Sequence, residues 1–181
     1  MTKAVFFDRD GTLIVEQHYL KDPEKVILFD DAVTALRGIM NAGFELFIVT
    51  NQSGIARGYF TEVEYQAVHR RVCERFAAGG VTFRDAAFCP HAPDSDCSCR
   101  KPNPGMLTTL MERHHIDPRV SFMVGDKAAD IEAGIAAGVT SILVMTGYGR
   151  DDLRKLAGKQ FIPADNLGAV RDIILGGANE K

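Results

Sequence analysis

The residues with the clearest chemical capacity stand near the start of the chain, in Phe7-Asp8-Arg9-Asp10-Gly11-Thr12. Two carboxylates one residue apart can hold a hard cation, work as an acid/base pair, or act as a nucleophile with its proton carrier. They can equally form a polar turn, with Asp10-Gly11 as the turn dipeptide. A second set lies further on: Cys89, His91, Cys97 and Cys99 offer three thiols and an imidazole within eleven residues. That is the donor set of a closed tetrahedral Zn²⁺ site, although Cys-x-His-x₅-Cys-x-Cys is not a common zinc-finger spacing. Free surface thiols there would be open to oxidation. With all four positions filled by protein, the expected zinc is structural and not catalytic.

The elements that must position these residues follow from the pattern of apolar side chains. Ala4 to Phe7 reads as a short strand buried on both faces, and it runs directly into Asp8. Ile14 to Phe29 reads as an extended loop. Asp30 or Asp31 can cap a helix that buries Val33, Leu36, Ile39 and Met40 and stops at Gly43. Phe44 to Val49 is a second strand, ending in Thr50-Asn51-Gln52-Ser53-Gly54. Thr61-Glu62-Val63-Glu64 is a capping box, and the helix it opens carries Tyr65, Val68, Val72 and Phe76 before Gly79-Gly80.

Asp85 to Phe88 is a third strand leading into the cysteine loop. Asn103-Pro104 starts a helix with Leu107, Leu110 and Met111 on its buried stripe. Val120 to Val124 is a fourth strand, ending in Gly125-Asp126. A helix over Ala128 to Ala137 and a strand over Thr140 to Met145 follow. The tail reads as two helices, near Asp151 to Leu156 and Asn166 to Leu175. This alternation predicts an α/β fold, a Rossmann-like doubly wound parallel sheet with helices on both faces. The chain is expected to form a single domain over 1–181, with a zinc loop at 89–99. The carboxyl ends of parallel strands lie on one side, so Asp8, Asp10, Thr50, the cysteine loop and Asp126 should converge.

A net charge of −3 leaves no basic face for a nucleic-acid backbone. No apolar run reaches membrane-span length and no signal-peptide pattern opens the chain. The expectation is a cytoplasmic protein, acting as a monomer on a small molecule, without nucleic-acid or membrane partners. Cys73 falls on the buried stripe of a helix and reads as a small core residue. His69, His114 and His115 lie on helices and receive no role.

Asp-x-Asp-Gly-Thr after an early strand, Thr-Asn after the second, Lys101 before a Pro, and Gly-Asp-x-x-x-Asp after the fourth together resemble the haloacid dehalogenase-like (HAD-like) phosphatases. The resemblance extends to about Met145. It implies Asp8 as the nucleophile forming an aspartyl-phosphate, and Asp10 as the acid and then the base. It also implies phosphoryl contacts from Thr50, Asn51 and Lys101, and catalytic Mg²⁺ held by Asp8, the Asp10 carbonyl and Asp126. Arg9 reads as a backbone donor more than a charge, and Asp130 as a support behind the shell or a helix cap. No stretch is free to form a separate cap domain.

Three segments sharpen the likeness: Thr50-Asn51-Gln52-Ser53-Gly54-Ile55-Ala56-Arg57-Gly58-Tyr59-Phe60, Arg100-Lys101-Pro102-Asn103-Pro104-Gly105-Met106-Leu107 and Met123-Val124-Gly125-Asp126-Lys127. With the Cys-His-Cys-Cys loop they resemble bacterial D-glycero-D-manno-heptose 1,7-bisphosphate phosphatases. That resemblance implies removal of the 7-phosphate on the route to the nucleotide-activated heptose of lipopolysaccharide core. It implies substrate contacts from Glu16, Gln17, His18, Tyr19, Gln52, Ser53, Arg100 and Lys127. Arg100 could hold the second phosphate bidentately. The short span from His91 to Cys97 is that of histidinol-phosphate phosphatases, which stand as the alternative. A receiver domain that only accepts phosphate is a remote one, since Asp10 would speed hydrolysis.

Overall fold

The computed structural model describes residues 1–177. Six parallel strands form one sheet in the order β3-β2-β1-β4-β5-β6. They are β1 (Ala4–Phe7), β2 (Glu45–Asn51), β3 (Asp85–Cys89), β4 (Phe122–Gly125), β5 (Thr140–Val144) and β6 (Ile162–Ala164). Between them run α1 (Ala32–Asn41), α2 (Glu62–Ala78), α3 (Gly105–His114), α4 (Ala128–Ala137) and α5 (Gly149–Asp152), and α6 (Leu167–Gly177) follows β6.

The strands alternate their faces as the pleat requires. Val5 and Phe7 of β1, with Leu46 and Ile48 of β2, pack under α1, α2 and α6. Ala4 and Phe6, with Phe47 and Val49, pack under α3 and α4 instead. Both faces of β1 are thus covered, which explains why its four residues are all apolar and fully buried. β1 lies mid-sheet at the point where the chain reverses direction, between β2 and β4. Its carboxyl end therefore opens into the crevice where such sheets take ligands.

Local signals place the helices. Thr61 Oγ1 accepts from the Glu64 amide at 3.2 Å and a Glu64 carboxylate oxygen accepts from the Thr61 amide at 2.7 Å, so the predicted capping box forms. Asp31 stands at the N-terminus of α1 without capping it through its side chain. Its carboxylate accepts instead from the Gly168 amide at 2.8 Å, tying α6 to α1. In the segment read as an extended loop, Ile14 makes isolated bridges with Asp10 and Leu28, and Pro23–Lys25 forms a short 3₁₀ turn.

The tail holds a strand in the stretch between the two expected helices, where the sequence assigns no element. β6 is three residues long, contains Pro163 and lies at the sheet edge, where a missing N–H costs no ladder bond. Among the described residues, one helix-bearing connection joins β1 to β2 and another joins β2 to β3, with no inserted domain. No described helix is long and apolar enough to cross a membrane.

Candidate active site

At the carboxyl ends of the strands lies a cavity of about 350 Å³. Asp8 and Asp10 from the β1 turn line it, together with Thr50, Asn51, Gln52 and Ser53 from the end of β2. Arg100 and Lys101 come from the segment after β3, and Lys127 and Asp130 from the start of α4. Its remaining wall includes Glu16, His18 and Tyr19.

The floor is a buried charge cluster. Lys101 Nζ lies 2.7 Å from Asp8 Oδ1 and 2.7 Å from Asp130 Oδ1, and donates to the Val49 carbonyl at 2.7 Å. Burial works to raise the Asp8 carboxyl. The charges of Lys101 and Lys127, with hydrogen bonds from Lys101 and the Arg9 amide, outweigh it and hold Asp8 below the usual carboxylate range. Asp8 is thus an anion aimed into the cavity. Burial would lower Lys101, yet Asp130 and Asp8 keep it charged. Asp130 stays raised through burial and the charge of Asp8, in spite of its bond to Lys101. It also accepts from the Lys127 amide at 2.9 Å, so helix cap and support are one role.

Asp126 is fully buried and pushed up to about 8, by burial first and then by the charge of Asp8. Its oxygens accept from Thr12 Oγ1 at 3.3 Å and from the Tyr148 amide at 2.9 Å. Ligand oxygens of Asp8, Asp126 and Asp130 lie within 4.8 Å of one another. Three carboxylates so close, short of cations, fit a hard divalent ion. Both oxygens of Asp130 are engaged, Oδ1 by Lys101 and Oδ2 by the Lys127 amide, whereas Lys101 meets only Oδ1 of Asp8.

The segment after β2 is ordered by mutual bonds. Asn51 Nδ2 donates to the Lys101 carbonyl at 3.0 Å and Asn51 Oδ1 accepts from the Lys101 amide at 3.1 Å. The Asn51 side chain therefore sets the backbone that carries Lys101. Gln52 Nε2 donates to Thr50 Oγ1 at 2.9 Å and to Asp10 Oδ2 at 2.8 Å. With its oxygen lone pair occupied in this way, Thr50 can turn its own O–H to the cavity.

The four residues of the Cys/His cluster approach as a metal site would require. Sγ atoms of Cys89, Cys97 and Cys99 are 3.0 to 3.8 Å apart, and His91 Nδ1 lies 3.4 Å from Cys89 and 3.3 Å from Cys99. Donors on a tetrahedron of Zn–S length about 2.3 Å would stand roughly 3.8 Å apart. Burial and the neighbouring thiols push Cys89 up to about 12, a proton that a bound metal would displace. Cys73 lies elsewhere, half-buried beside His69.

The wall formed by 16–19 is held under strain. His18 and Tyr19 both adopt positive φ, at 46° and 61°, a region that costs a non-glycine residue energy. Glu16 accepts from the His18 amide at 2.9 Å and meets Lys127 Nζ at 3.4 Å. Tyr148 Oη lies 3.3 Å from His18 Nδ1. Gln17 is the expected contact that does not line the cavity: its side-chain amide donates to the Lys25 carbonyl at 2.6 Å.

Two residues escaped the sequence reading. Tyr148 lines the cavity and its amide fixes Asp126, while Thr12 was quoted only within its motif. Tyr148 follows β5, so the rule that strand ends carry the site would have found it had it been applied beyond Met145. Arg9 corrects an expectation. Its side chain is fully buried and bonded to Asp10, so it contributes its charge as well as its amide.

Comparison with known proteins identifies the family. The profile of the HAD-hydrolase-like family matches residues 98–170. A relative from Escherichia coli (strain K12), named D-glycero-beta-D-manno-heptose-1,7-bisphosphate 7-phosphatase, is 41% identical over 152 residues, 80% of each chain. The chain belongs to that phosphatase family, within the HAD-like hydrolases. A relative of the same name from Pseudomonas putida is 36% identical across 95% of this chain and 99% of its own. The crystal structure of the D,D-heptose 1,7-bisphosphate phosphatase of B. bronchiseptica, complexed with magnesium and phosphate, superposes with a TM-score of 0.90. It is 32% identical and covers 97% of this chain and 99% of that one. Family membership makes the protein a hydrolase of phosphoric monoesters.

Proposed function

We propose that this enzyme removes the 7-phosphate of D-glycero-beta-D-manno-heptose 1,7-bisphosphate and leaves heptose 1-phosphate. The product would enter the nucleotide-activated heptose of lipopolysaccharide core. The observation that carries this reading is the buried Asp8–Lys101–Asp130 cluster at the floor of an open, largely polar cavity, with the Asp126 carboxylate beside it. The names of the E. coli and B. bronchiseptica relatives supply the sugar.

In the first half-reaction an Asp8 oxygen bonds to phosphorus as the bond to the sugar oxygen breaks, and a proton on Asp10 passes to that departing oxygen. In the second, a water oxygen bonds to phosphorus, its proton moves to Asp10, and the Asp8–phosphorus bond breaks to free orthophosphate. Thr50, the Asn51 amide and Lys101 hold the phosphoryl oxygens. Asp8, the Asp10 carbonyl and Asp126 would hold Mg²⁺, which offsets the charge gathered on the phosphoryl group. Arg100 grips the second phosphate, with Lys127, Glu16, His18, Tyr19 and Ser53 around the sugar. A role for Gln17 would be indirect, through its bond to the Lys25 carbonyl.

Zn²⁺ on Cys89, His91, Cys97 and Cys99 would act structurally, since Arg100 Nη1 donates to the His91 carbonyl at 3.3 Å. The reading extends to a cytoplasmic monomer with one phosphatase unit over 1–181. Phosphate release by the Mg²⁺-supplied enzyme tests the assignment. The heptose bisphosphate should exceed histidinol phosphate in kcat/KM by ~10²-fold or more. The reverse ranking would overturn the sugar assignment.

A further inference from the structure

Among the described residues, Arg9 has the largest fully buried side chain, with 1% of the residue exposed. A buried cation normally answers a distant partner across the core, but this one serves the next residue in the chain. Nε donates to Asp10 Oδ2 at 3.0 Å and Nη2 to Asp10 Oδ1 at 3.2 Å, a two-pronged grip on both carboxylate oxygens. Neighbouring side chains usually diverge. Here the turn brings them together, because the Arg9 carbonyl accepts from both the Leu13 and Ile14 amides, at 2.9 and 3.1 Å.

The other side of the guanidinium rests on α2. Its central carbon lies 5.2 Å from the centroid of the Tyr65 ring, itself buried. Nη1 is buried with no hydrogen-bond partner among the described residues. The position of the guanidinium is set by Tyr65 beneath and Asp10 beside it. Gln52 Nε2 supplies a third donor to Asp10 at 2.8 Å, so the carboxylate is fixed from two sides while 16% of its side chain still faces the cavity.

We propose that Arg9 is a positioning residue for proton transfer: braced on Tyr65, it fixes the rotamer from which Asp10 delivers a proton to the leaving oxygen and later takes one from water. This rests on the role assigned to Asp10 above. Lysine, a point charge on a flexible stem without the planar fork, cannot reproduce the two parallel bonds, so the conservative replacement should fail as well. A carboxylate displaced by about 1 Å loses on the order of 10²-fold in rate.

The test uses the leaving group. A sugar alkoxide must be protonated as it departs, whereas the p-nitrophenolate of p-nitrophenyl phosphate need not be. For Arg9→Lys and Arg9→Met, with Asp10→Asn in parallel, the single-turnover rate on the sugar bisphosphate is divided by the p-nitrophenol burst rate in the same sample. This quotient does not depend on the folded fraction. It should fall ~10²-fold in both Arg9 variants and at least as far in Asp10→Asn. An unchanged quotient in Asp10→Asn would remove the Asp10 role itself. A drop there with an unchanged quotient in both Arg9 variants would overturn only the Arg9 proposal. So would parallel loss of both rates, or failure of both Arg9 variants to fold, since either makes Arg9 a structural residue.

Discussion

Lys101→Met isolates the electrostatics of the site floor. Nζ is the hub of three contacts of 2.7 Å, to Asp8, Asp130 and the Val49 carbonyl, and the side chain is 1% exposed. Methionine keeps the length and removes the charge. Asp8, Asp126 and Asp130 would then share the interior with Lys127 as the remaining nearby ammonium. Breaking a buried pair from one side costs about 3–5 kcal/mol. At ~2–4 °C per kcal/mol for a chain of this size, the melting temperature should fall by about 6–20 °C at pH 8.

The loss should also depend on pH, with a defined sign. Without the ammonium, Asp8 joins Asp126 and Asp130 in being raised in the folded state. Raised carboxyls bind protons that the unfolded chain, with carboxyls near ~4, has released. Stability is therefore lost as pH rises through the folded values and recovers as it falls. The deficit should be larger at pH 8 than at pH 5.5, and reduced by millimolar Mg²⁺ at pH 8. Thermal unfolding followed by circular dichroism, in magnesium-free buffer without a chelator so that a metal on the thiol cluster would be retained, measures all three. A variant melting within ~2 °C of the parent at pH 8, or an equal deficit at both pH values, would refute the reasoning.

Two more outcomes follow from the same geometry. Asp126 is held at about 8, and its proton must leave before a cation binds, so Mg²⁺ affinity should weaken ~10-fold per unit as pH falls below that value; titration calorimetry from pH 6 to 8 reads this. Cys99→Ser should lose zinc and phosphatase activity together, because the loop carries Arg100 and Lys101 into the cavity; metal analysis beside activity checks it, and full activity without zinc would break the link.

Much of the site was legible because its signals are local or follow from strand polarity. Asp8, Thr50 and Asp126 each end or follow an apolar run, and a parallel sheet brings such ends together; Lys101 follows a polar loop and is marked only by its place before Pro102. The Thr61–Glu64 cap needs only four residues to be seen. The Cys/His loop announces itself by ligand type. What stayed hidden depends on tertiary contact. β6 is too short and too proline-marked to read as a strand, and it exists because β5 offers it an edge. Asp31 looks like a helix cap and binds α6 instead. Arg9 gave no sign of its use, since nothing in Asp8-Arg9-Asp10 says that a turn will fold the middle side chain onto the last and over Tyr65.

Asp126 Oδ2 sits between two glycines from opposite parts of the chain. A Cβ at Gly11 would lie 2.3 Å from it and one at Gly147 2.2 Å, and Thr146 Oγ1 closes the same seam by donating to the Gly11 carbonyl at 2.7 Å. The consequence concerns the order of assembly during synthesis. A nascent chain that has emerged as far as Met145 carries Asp8, Asp10, Thr50, Lys101 and Asp126, yet lacks the amide and the glycine wall that fix Asp126. The last piece of the site is made 135 residues after the Gly11 carbonyl it docks on, and contacts of such separation form late. The enzyme is therefore complete in its chemical groups well before it is complete as a catalyst.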